Sequence, residues 1–245
     1  MVKCDIFYSY VNKYTFFLKA KNYFVLFFFN TIIEKKLFVL FKKLLLEIEK
    51  IDEKSISKQR KSLLQPLIDY IILKLSNKQQ VRLNFICTHN SRRSHLAQVW
   101  AQAMAHYFNF SQVICYSGGT ERTSMCDAVV NVLKKVGFRF YILADNDNNP
   151  IYLIEYSLNQ SPVVGFSKCF DHPFNPKSNF AAILTCSDAN ESCPFIKGAD
   201  IRIPMTFEDP KVYDRTDLQN IKYLERSLEI ATELKYVFSK ITIKT

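Results

Sequence analysis

The residue types best suited to chemistry in this sequence are a cysteine and an arginine that enclose five residues, Cys87 and Arg93. A cysteine thiolate is a nucleophile, and an arginine guanidinium binds two oxygens of one anion through paired hydrogen bonds. This spacing allows the chain between them to circle an anion while the arginine holds it. Taken alone, the pair also fits a buried cysteine beside a solvated arginine, so the surrounding elements must decide.

The segments on either side of this pair predict a strand and a helix. Residues 83–87 form an apolar run typical of a buried strand. After the loop, apolar side chains recur at the spacing of an amphipathic helix: Leu96, Val99, Trp100, Ala103, Met104 and Tyr107. A loop that leads into a helix N-terminus directs backbone N–H groups and the positive end of the helix dipole at whatever it encloses. The arrangement therefore predicts an oxyanion-binding loop that favours the thiolate form of Cys87.

The run Cys-Thr-His-Asn-Ser-Arg-Arg-Ser at residues 87–94 resembles the phosphate loop of low-molecular-weight protein tyrosine phosphatases and of the thioredoxin-coupled arsenate reductases built on that fold. This resemblance implies that Cys87 is the nucleophile, that Arg93 clamps the oxyanion and that Ser94 supports the thiolate. The other loop residues implied to bind the oxyanion are Thr88, His89, Asn90, Ser91 and Arg92.

Two loop residues depart from the family pattern. His89 stands where the family usually has Gly, and a non-Gly residue at positive φ carries backbone strain. Arg92 stands where the family often has Cys or Ile. We expect the side chains of His89 and Arg92 to widen or charge the mouth of the pocket. On the following helix, Gln98 replaces the Glu of cation-assisted reductases, which argues against stimulation by potassium.

A second pair of thiols follows another predicted strand. The apolar run at residues 180–186 ends in Cys186, and Cys193 follows a short polar loop. In a parallel α/β sheet the carboxyl ends of the strands share one edge, so Cys186 is expected to face Cys87 and to exchange disulfides with it. The alternatives are two unconnected buried cysteines or a metal site, for which the cysteine spacing is poor; no metal is expected. Residues 185–194 resemble the redox loop of thioredoxin-coupled arsenate reductases, which plain low-molecular-weight phosphatases lack.

The dipeptide Asp209-Pro210 resembles the general-acid loop of the same family. Expelling an alkoxide or hydroxide from phosphorus or arsenic is difficult unless a carboxylic acid supplies a proton. Asp209 is therefore the candidate general acid, and Glu208 or a simple turn is the alternative.

The pattern of the whole chain predicts a three-layer α/β domain with a four-stranded parallel sheet in flavodoxin-like order, which is also the fold that the resemblance implies. The predicted catalytic domain occupies residues 81–245 and contains a β-hairpin insertion near residues 138–157. Residues 46–80 carry helical apolar stripes and form an N-terminal helical extension, with Ser55 or Ser57 as the cap of its second helix.

Residues 1–45 form an apolar, lysine-rich leader that contains no Gly or Pro. Its most apolar run is about half the roughly 20 residues that a membrane-spanning helix needs, so a membrane span is not expected. An interfacial anchor, or an extension outside the working domain, is left open. Residues 167–176 are interpreted as a solvated, proline-punctuated loop with one packed cysteine, Cys169, rather than as a metal site.

The formal net charge of +10 fits an anionic substrate or partner, but no nucleic-acid-binding motif accompanies it, so nucleic acid is not expected. The seven cysteines are an odd number in a chain without a clean secretory signal, which favours a reducing compartment, the cytoplasm, over a disulfide framework. No tightly bound cofactor is expected, and thioredoxin would be the external reductant of a reductase.

Three functions are compatible with these residues. An arsenate reductase would use Cys87, Arg93 and Asp209 to bind and attack arsenate, and would pass the oxidation through Cys186 and Cys193 to thioredoxin. A phosphatase would use the first three residues on phosphotyrosine or a small phosphomonoester through a phosphocysteine intermediate, and the cysteine pair would only guard the nucleophile. A non-enzymatic anion-sensing module would need no nucleophile. The cysteine pair favours the reductase.

Overall fold

The computed structural model describes residues 40–145, 148–192 and 195–242. Most of the predicted leader, at residues 1–39, lies outside the described residues, and so does the second candidate redox cysteine, Cys193. No helix in the described part of the chain is long and apolar enough to cross a membrane.

Helices and strands follow one another along the described residues. The helices are α1 (Lys42–Lys50), α2 (Lys58–Ser76), α3 (Arg93–Tyr107), α4 (Asp127–Val136), α5 (Ser187–Ser192) and α6 (Gln219–Ser239). The strands are β1 (Val81–Cys87), β2 (Val113–Gly119), β3 (Arg139–Ala144), β4 (Ile151–Glu155), β5 (Val163–Gly165), β6 (Phe180–Leu184) and β7 (Ala199–Pro204). Short 3-10 turns occupy Glu53–Ser55 and Pro210–Tyr213.

Strands β1, β2, β6 and β7 form a four-stranded parallel sheet in the order β2-β1-β6-β7. The two central strands are almost wholly buried, as is usual for parallel strands covered on both faces. Numbered among themselves, the parallel strands run 2-1-3-4, which is the flavodoxin-like order. The predicted three-layer α/β fold is confirmed. The carboxyl ends of β1 and β6 lie side by side, because Ile86 pairs with Leu184.

Hydrophobic clusters cover the two faces of this sheet. The larger cluster joins α2, α3, α4 and α6 to strand side chains such as Leu83 and Ile183. Side chains alternate across a strand, so the smaller cluster, which contains Ile86 and Leu184, lies on the opposite face, where α5 contributes Ala189. Packing on both faces fixes the strand ends from which the loops at the carboxyl edge begin.

Helix α2, which lies in the predicted N-terminal extension, is built into the main core. Its apolar stripe is buried and consists of Leu64, Leu67, Ile68 and Ile71. Of the two predicted caps, Ser57 is the one observed: its side chain accepts a hydrogen bond of 3.1 Å from the backbone N–H of Arg60. The first turn of α2 is therefore a fixed part of the domain.

The segment predicted as a hairpin is a three-stranded antiparallel sheet. Strands β3 and β4 pair as expected, and β5 adds an unpredicted third strand on the other side of β4. The sequence did not reveal β5 because three residues carry too little alternation to indicate a strand. After β5 the chain returns to the parallel sheet, where Cys169 forms a bridge with Gly119 at the end of β2.

Candidate active site

The predicted phosphate loop, residues 87–94, connects β1 to α3. The Cys87 sulfur lies 3.0 Å from Ser94 Oγ, and this oxygen accepts a hydrogen bond of 2.9 Å from the side-chain amide of Asn90. All three side chains are buried. Because the Asn90 amide occupies an acceptor position on the Ser94 oxygen, the Ser94 hydroxyl is free to donate its proton to the sulfur. This geometry suits a thiolate at Cys87, since the charged form receives the hydrogen bond.

The carbonyl groups of the loop are engaged by the chain around it. They accept hydrogen bonds from outside the loop: Cys87 from Thr120, Thr88 from Thr120 and Glu121, His89 from Thr123 and Ser167, and Ser91 from Cys126. In a planar trans peptide, the C=O and the following N–H point in opposite directions. The N–H groups of this loop therefore point toward its centre, as a nest for an anion requires.

The backbone of the loop turns at Asn90, whose φ of +44° lies in the left-handed region. Comparison with the family pattern predicts strain at His89, but His89 is not among the described residues with positive φ. Asn is one of the non-Gly residues best tolerated in this region, since its short side chain can form local hydrogen bonds. The left-handed backbone conformation that the family pattern predicts at His89 is therefore found at Asn90.

A glycine at the end of β2 lets that strand approach the loop closely. A Cβ on Gly119 would lie 2.6 Å from the Thr88 carbonyl oxygen and 2.7 Å from the Asn90 nitrogen. Such distances exclude any side chain at this position. The Ser-Gly-Gly-Thr segment at residues 117–120 therefore lies beside the phosphate loop.

The two loop side chains that depart from the family pattern are each engaged by a carboxylate. His89 is 42% exposed, and its Nε2 lies 3.4 Å from a Glu121 carboxylate oxygen. Arg92 donates from Nε to the Tyr223 hydroxyl at 2.6 Å and from Nη2 to Asp214 Oδ2 at 2.5 Å. The expectation that the Arg92 side chain binds the oxyanion or charges the pocket mouth is therefore corrected. Its charge is balanced by Asp214, and it ties the loop to α6.

Arg93, the first residue of α3, holds the segment that carries the candidate acid. Its Nη1 donates to the Phe207 carbonyl at 2.9 Å, and its Nη2 donates to Asp209 Oδ2 at 2.5 Å. Its Nε is buried without a protein partner among the described residues, so this donor is available to an anion. Asp209 Oδ1 accepts a hydrogen bond of 3.0 Å from the Lys211 backbone N–H and caps the 3-10 turn. The predicted clamp and the predicted acid are thus in direct contact.

Cys186 is the second residue after β6 and lies beside the end of β1, as the parallel sheet predicts. Its sulfur is 3.5 Å from Thr88 Oγ1 and accepts a hydrogen bond of 3.4 Å from the Ala189 backbone N–H in α5. It is fully buried and belongs to the same small hydrophobic cluster as Cys87. The structure therefore brings a second thiol against the phosphate loop, whereas its predicted partner Cys193 lies outside the described residues.

The interpretation of residues 167–176 as a solvated loop is wrong at their start, where Ser167 and Lys168 are fully buried. Ser167 Oγ donates to the His89 carbonyl at 3.1 Å, and the Lys168 backbone N–H donates to Asn90 Oδ1 at 2.9 Å. These two residues brace the loop from behind. The sequence contains one indication of this bracing, which is Asn90, because a buried amide oxygen needs a hydrogen-bond donor. The sequence pattern does not identify Lys168 as that donor.

The Lys168 side chain is buried among aromatic rings. Its Nζ donates to the Phe166 carbonyl at 3.3 Å and lies 4.4 Å and 5.4 Å from the ring centroids of Phe166 and Phe174. Burial lowers the pKa of Lys168 to about 7. Burial and then the Lys168 charge lower the pKa of His95 to about 3, so its imidazole is neutral, with Nδ1 3.2 Å from Ser117 Oγ. The back of the loop is thus a buried polar network in which Lys168 is the group that titrates near neutral pH.

A cleft of about 810 Å³ opens beside Arg93 and Asp209. Its other walls come from the start of α2, including Ser57, and from one side of α6, including Thr232. A single tetrahedral oxyanion fills only a small part of this volume. Neither Cys87 nor residues 88–92 line this cleft, so it borders the arginine and the acid and does not enclose the nucleophile.

No protein-family model matches the chain. The chain is 27% identical to arsenate reductase 2 of Staphylococcus haemolyticus over 139 residues, which is 56% of this chain and 85% of that protein. It is 26% identical to arsenate reductase 2 of Staphylococcus epidermidis, again over 139 residues, which is 56% of this chain and 85% of that protein.

Among solved structures, an arsenate reductase from Archaeoglobus fulgidus is 17% identical, with 64% of this chain and 99% of that chain covered and a TM-score of 0.42. A low-molecular-weight phosphotyrosine phosphatase from Vibrio cholerae is 12% identical. The match covers 65% of this chain and 94% of that chain, with a TM-score of 0.43. The curated relatives confirm the resemblance seen in the phosphate loop: this chain is similar in sequence to arsenate reductases.

Proposed function

We propose that this protein is an arsenate reductase that uses Cys87 as its nucleophile. The observation that carries the proposal is the buried Cys186 sulfur, 3.5 Å from Thr88 of the phosphate loop. A phosphatase needs only the loop, the arginine and the acid, whereas a redox reaction also needs a second thiol beside the first. The sequence similarity to arsenate reductases supports the same conclusion.

In the first step, arsenate enters the loop and is bound by the inward N–H groups and Arg93. The Cys87 thiolate attacks arsenic, so that an arsenic–sulfur bond forms and an arsenic–oxygen bond breaks. The anion competes with Asp209 for the Arg93 guanidinium, and this competition releases the Asp209 carboxyl toward the leaving oxygen. Asp209, once protonated, transfers its proton to that oxygen, which departs as water.

In the second step, the Cys186 thiolate attacks the Cys87 sulfur. The sulfur–sulfur bond forms, the arsenic–sulfur bond breaks, and its electron pair stays on arsenic, which leaves as arsenite. Cys193 then attacks Cys186, which frees Cys87 as a thiolate and leaves a Cys186–Cys193 disulfide. A dithiol protein reduces this disulfide, and we expect thioredoxin to be that partner.

The redox steps are tested by following arsenate-dependent oxidation of reduced thioredoxin. We expect Cys186→Ser to reduce multiple turnover to background, and Cys193→Ser to accumulate a Cys87–Cys186 disulfide that mass spectrometry detects. Cys115→Ser is the matched control, because Cys115 is buried in the middle of β2 and pairs in register with Leu83 rather than with the loop. Turnover of Cys186→Ser equal to that of the parent would overturn the proposed mechanism.

A second candidate function, hydrolysis of phosphomonoesters, is favoured by the direct contact between Arg93 and Asp209, since a phosphatase needs only the loop, the arginine and the acid. Cys87 would form a phosphocysteine intermediate, Asp209 would protonate the leaving alcohol, and water would then hydrolyse the intermediate. Hydrolysis of p-nitrophenyl phosphate, assayed beside arsenate reduction, separates the two functions. Strong hydrolysis that survives loss of Cys186 and Cys193 would favour the phosphatase.

The proposed chemistry requires reduced thiols, and we therefore propose that the protein works in the cytoplasm. The described cysteines are all free: Cys87, Cys115, Cys126, Cys169 and Cys186. The formal net charge of +10 suits an anionic substrate, and the proposal involves neither nucleic acid nor a bound cofactor.

A further inference from the structure

We infer that Arg60, in the first turn of α2, is a positioning residue for the acid segment, which we define as residues 206–209. This inference rests on the proposed role of Asp209 as general acid. Arg60 lies outside every motif that resembles the family, in the region predicted as an extension. Its contacts nevertheless reach the backbone that carries the acid.

The Arg60 guanidinium makes a two-pronged ion pair with Glu233 of α6. Its Nε donates to Oε1 at 2.6 Å and its Nη2 donates to Oε2 at 2.8 Å. The same Nη2 also donates to the Thr206 carbonyl at 3.0 Å, and the guanidinium lies 5.1 Å from the centroid of the Phe207 ring. One side chain therefore links α2, α6 and the acid segment.

These contacts act at the point where the chain leaves the parallel sheet. The last hydrogen bond between the acid segment and the parallel sheet runs from the Phe207 N–H to the Thr185 carbonyl, at 3.1 Å. The Thr206 carbonyl, in the same peptide group as this N–H, binds Arg60, and the next carbonyl, of Phe207, binds Arg93. Asp209 lies two residues further on. Two arginines from different helices thus set the direction in which the acid is presented.

The Arg60–Glu233 pair is more than a surface ion pair. The Glu233 side chain is only 6% exposed and that of Arg60 is 21% exposed. Burial raises the pKa of Glu233 and outweighs the opposing effect of Arg60, so the carboxylate depends on the arginine for compensation. Lysine carries the charge but lacks the planar fork that binds both carboxylate oxygens and the carbonyl together. The position therefore requires arginine rather than any cation.

The leaving group of the substrate provides the test, because a general acid matters most when the leaving group is poor. Turnover of p-nitrophenyl phosphate and of phenyl phosphate is compared in the full chain and in the variants Arg60→Met, Arg60→Lys and Asp209→Asn. Nitrophenol leaves readily without a proton, whereas phenol does not. Lys61→Met is the matched control, since Lys61 is the next residue of the same helix and its Nζ lies over the Tyr236 ring.

We expect Arg60→Met to lower kcat/KM for phenyl phosphate by about tenfold more than for p-nitrophenyl phosphate, in the same direction as Asp209→Asn and within the range of general-acid effects. Arg60→Lys should fall between Arg60→Met and the parent, and Lys61→Met should match the parent on both substrates. Equal losses on the two substrates in Arg60→Met, where Asp209→Asn does show the leaving-group dependence, would mean that Arg60 only stabilises the fold, and the inference would be wrong.

Hydrogen–deuterium exchange at residues 205–209 tests whether Arg60 restrains the acid segment, and this measurement does not depend on catalysis. Exchange there should be faster in Arg60→Met than in Lys61→Met, while strand β1 stays protected in both. Unchanged exchange would overturn the positioning role even if the enzyme were active. Faster exchange in Arg60→Met combined with no leaving-group dependence in Asp209→Asn would instead show that the acid assignment, and not the hold of Arg60 on the segment, has failed.

Discussion

The phosphate loop and the segment at residues 206–214 are held in place in different ways. The contacts among Cys87, Asn90 and Ser94 span at most seven positions of the chain. The second segment is held by Arg60, Arg92 and Arg93, whose partners in it lie 114 to 146 positions away. The hydrogen bonds at the Cys87 sulfur are thus encoded locally. Distant residues such as Thr120 and Ser167 hold the loop backbone, and distant arginines hold the acid segment. A local motif therefore identifies the nucleophile more securely than it identifies the acid.

The largest expected effect is on turnover, when the nucleophile of the phosphate loop and the acid of the second segment are each substituted. Cys87→Ser removes the nucleophile and should lower turnover by about 10⁴-fold or more, as loss of a nucleophile does in other enzymes. Asp209→Asn removes only the proton donor and should cost about 10²-fold or somewhat more. Both are measured as kcat on arsenate and on p-nitrophenyl phosphate, with circular dichroism to verify folding. Equal losses in the two variants would contradict the division of roles.

An intermediate effect is expected at the ion pair that joins the two regions. Arg92→Met and Asp214→Asn should each reduce stability by about 1 to 2 kcal/mol, because each leaves a half-buried group without its charged partner. In a double-mutant cycle, the double variant should cost little more than either single one, since both remove the same contact. Urea unfolding measures this coupling.

Arg226→Met is the control for the Arg92–Asp214 pair, because the ion pair of Arg226 with Glu229 lies within α6 and holds no loop. A cycle in which the effects of Arg92→Met and Asp214→Asn simply add would argue against a link between the phosphate loop and the Asp214 turn.

A pH-dependent effect on stability is expected behind the loop, at Lys168. Burial lowers its pKa from 10.5 to about 7, so between these pH values the unfolded chain binds a proton that the folded chain does not. This contribution makes wild-type stability rise with pH across that window, by about 1.4 kcal/mol per pH unit at most. Below about pH 7 both states are protonated and the full cost of the buried charge remains. Lys168→Met should therefore stabilise the protein most near pH 6, and progressively less toward pH 10.

Thermal unfolding of wild type and Lys168→Met at several pH values checks this expectation, with the exposed Lys135→Met as the control. A difference between Lys168→Met and wild type that did not change with pH would mean that Lys168 keeps its proton when buried.

Much of the fold could be predicted because its signals are local. The apolar run that ends in Cys87 and the helical stripe that follows Leu96 were sufficient to place strand, loop and helix in order. The same reasoning anticipated that Cys186 would meet the phosphate loop, because parallel strands present their carboxyl ends at one edge. Strand β5 and the buried Ser167 could not be predicted, since a three-residue strand has no clear period and a serine in a proline-rich stretch usually indicates a turn.

The sequence by itself determined which reactive groups are present: a thiol, an arginine and an acid in patterns that resemble one family, and a second thiol at another strand end. Only the tertiary structure decided how these groups are held. It put the left-handed turn at Asn90, engaged Arg92 with Asp214, and brought Arg60 to the acid segment through Glu233, 173 positions away. The physical reason is that hydrogen bonds and ion pairs depend on distance in space, and periodicity along the chain does not reveal which distant polar groups will be buried together.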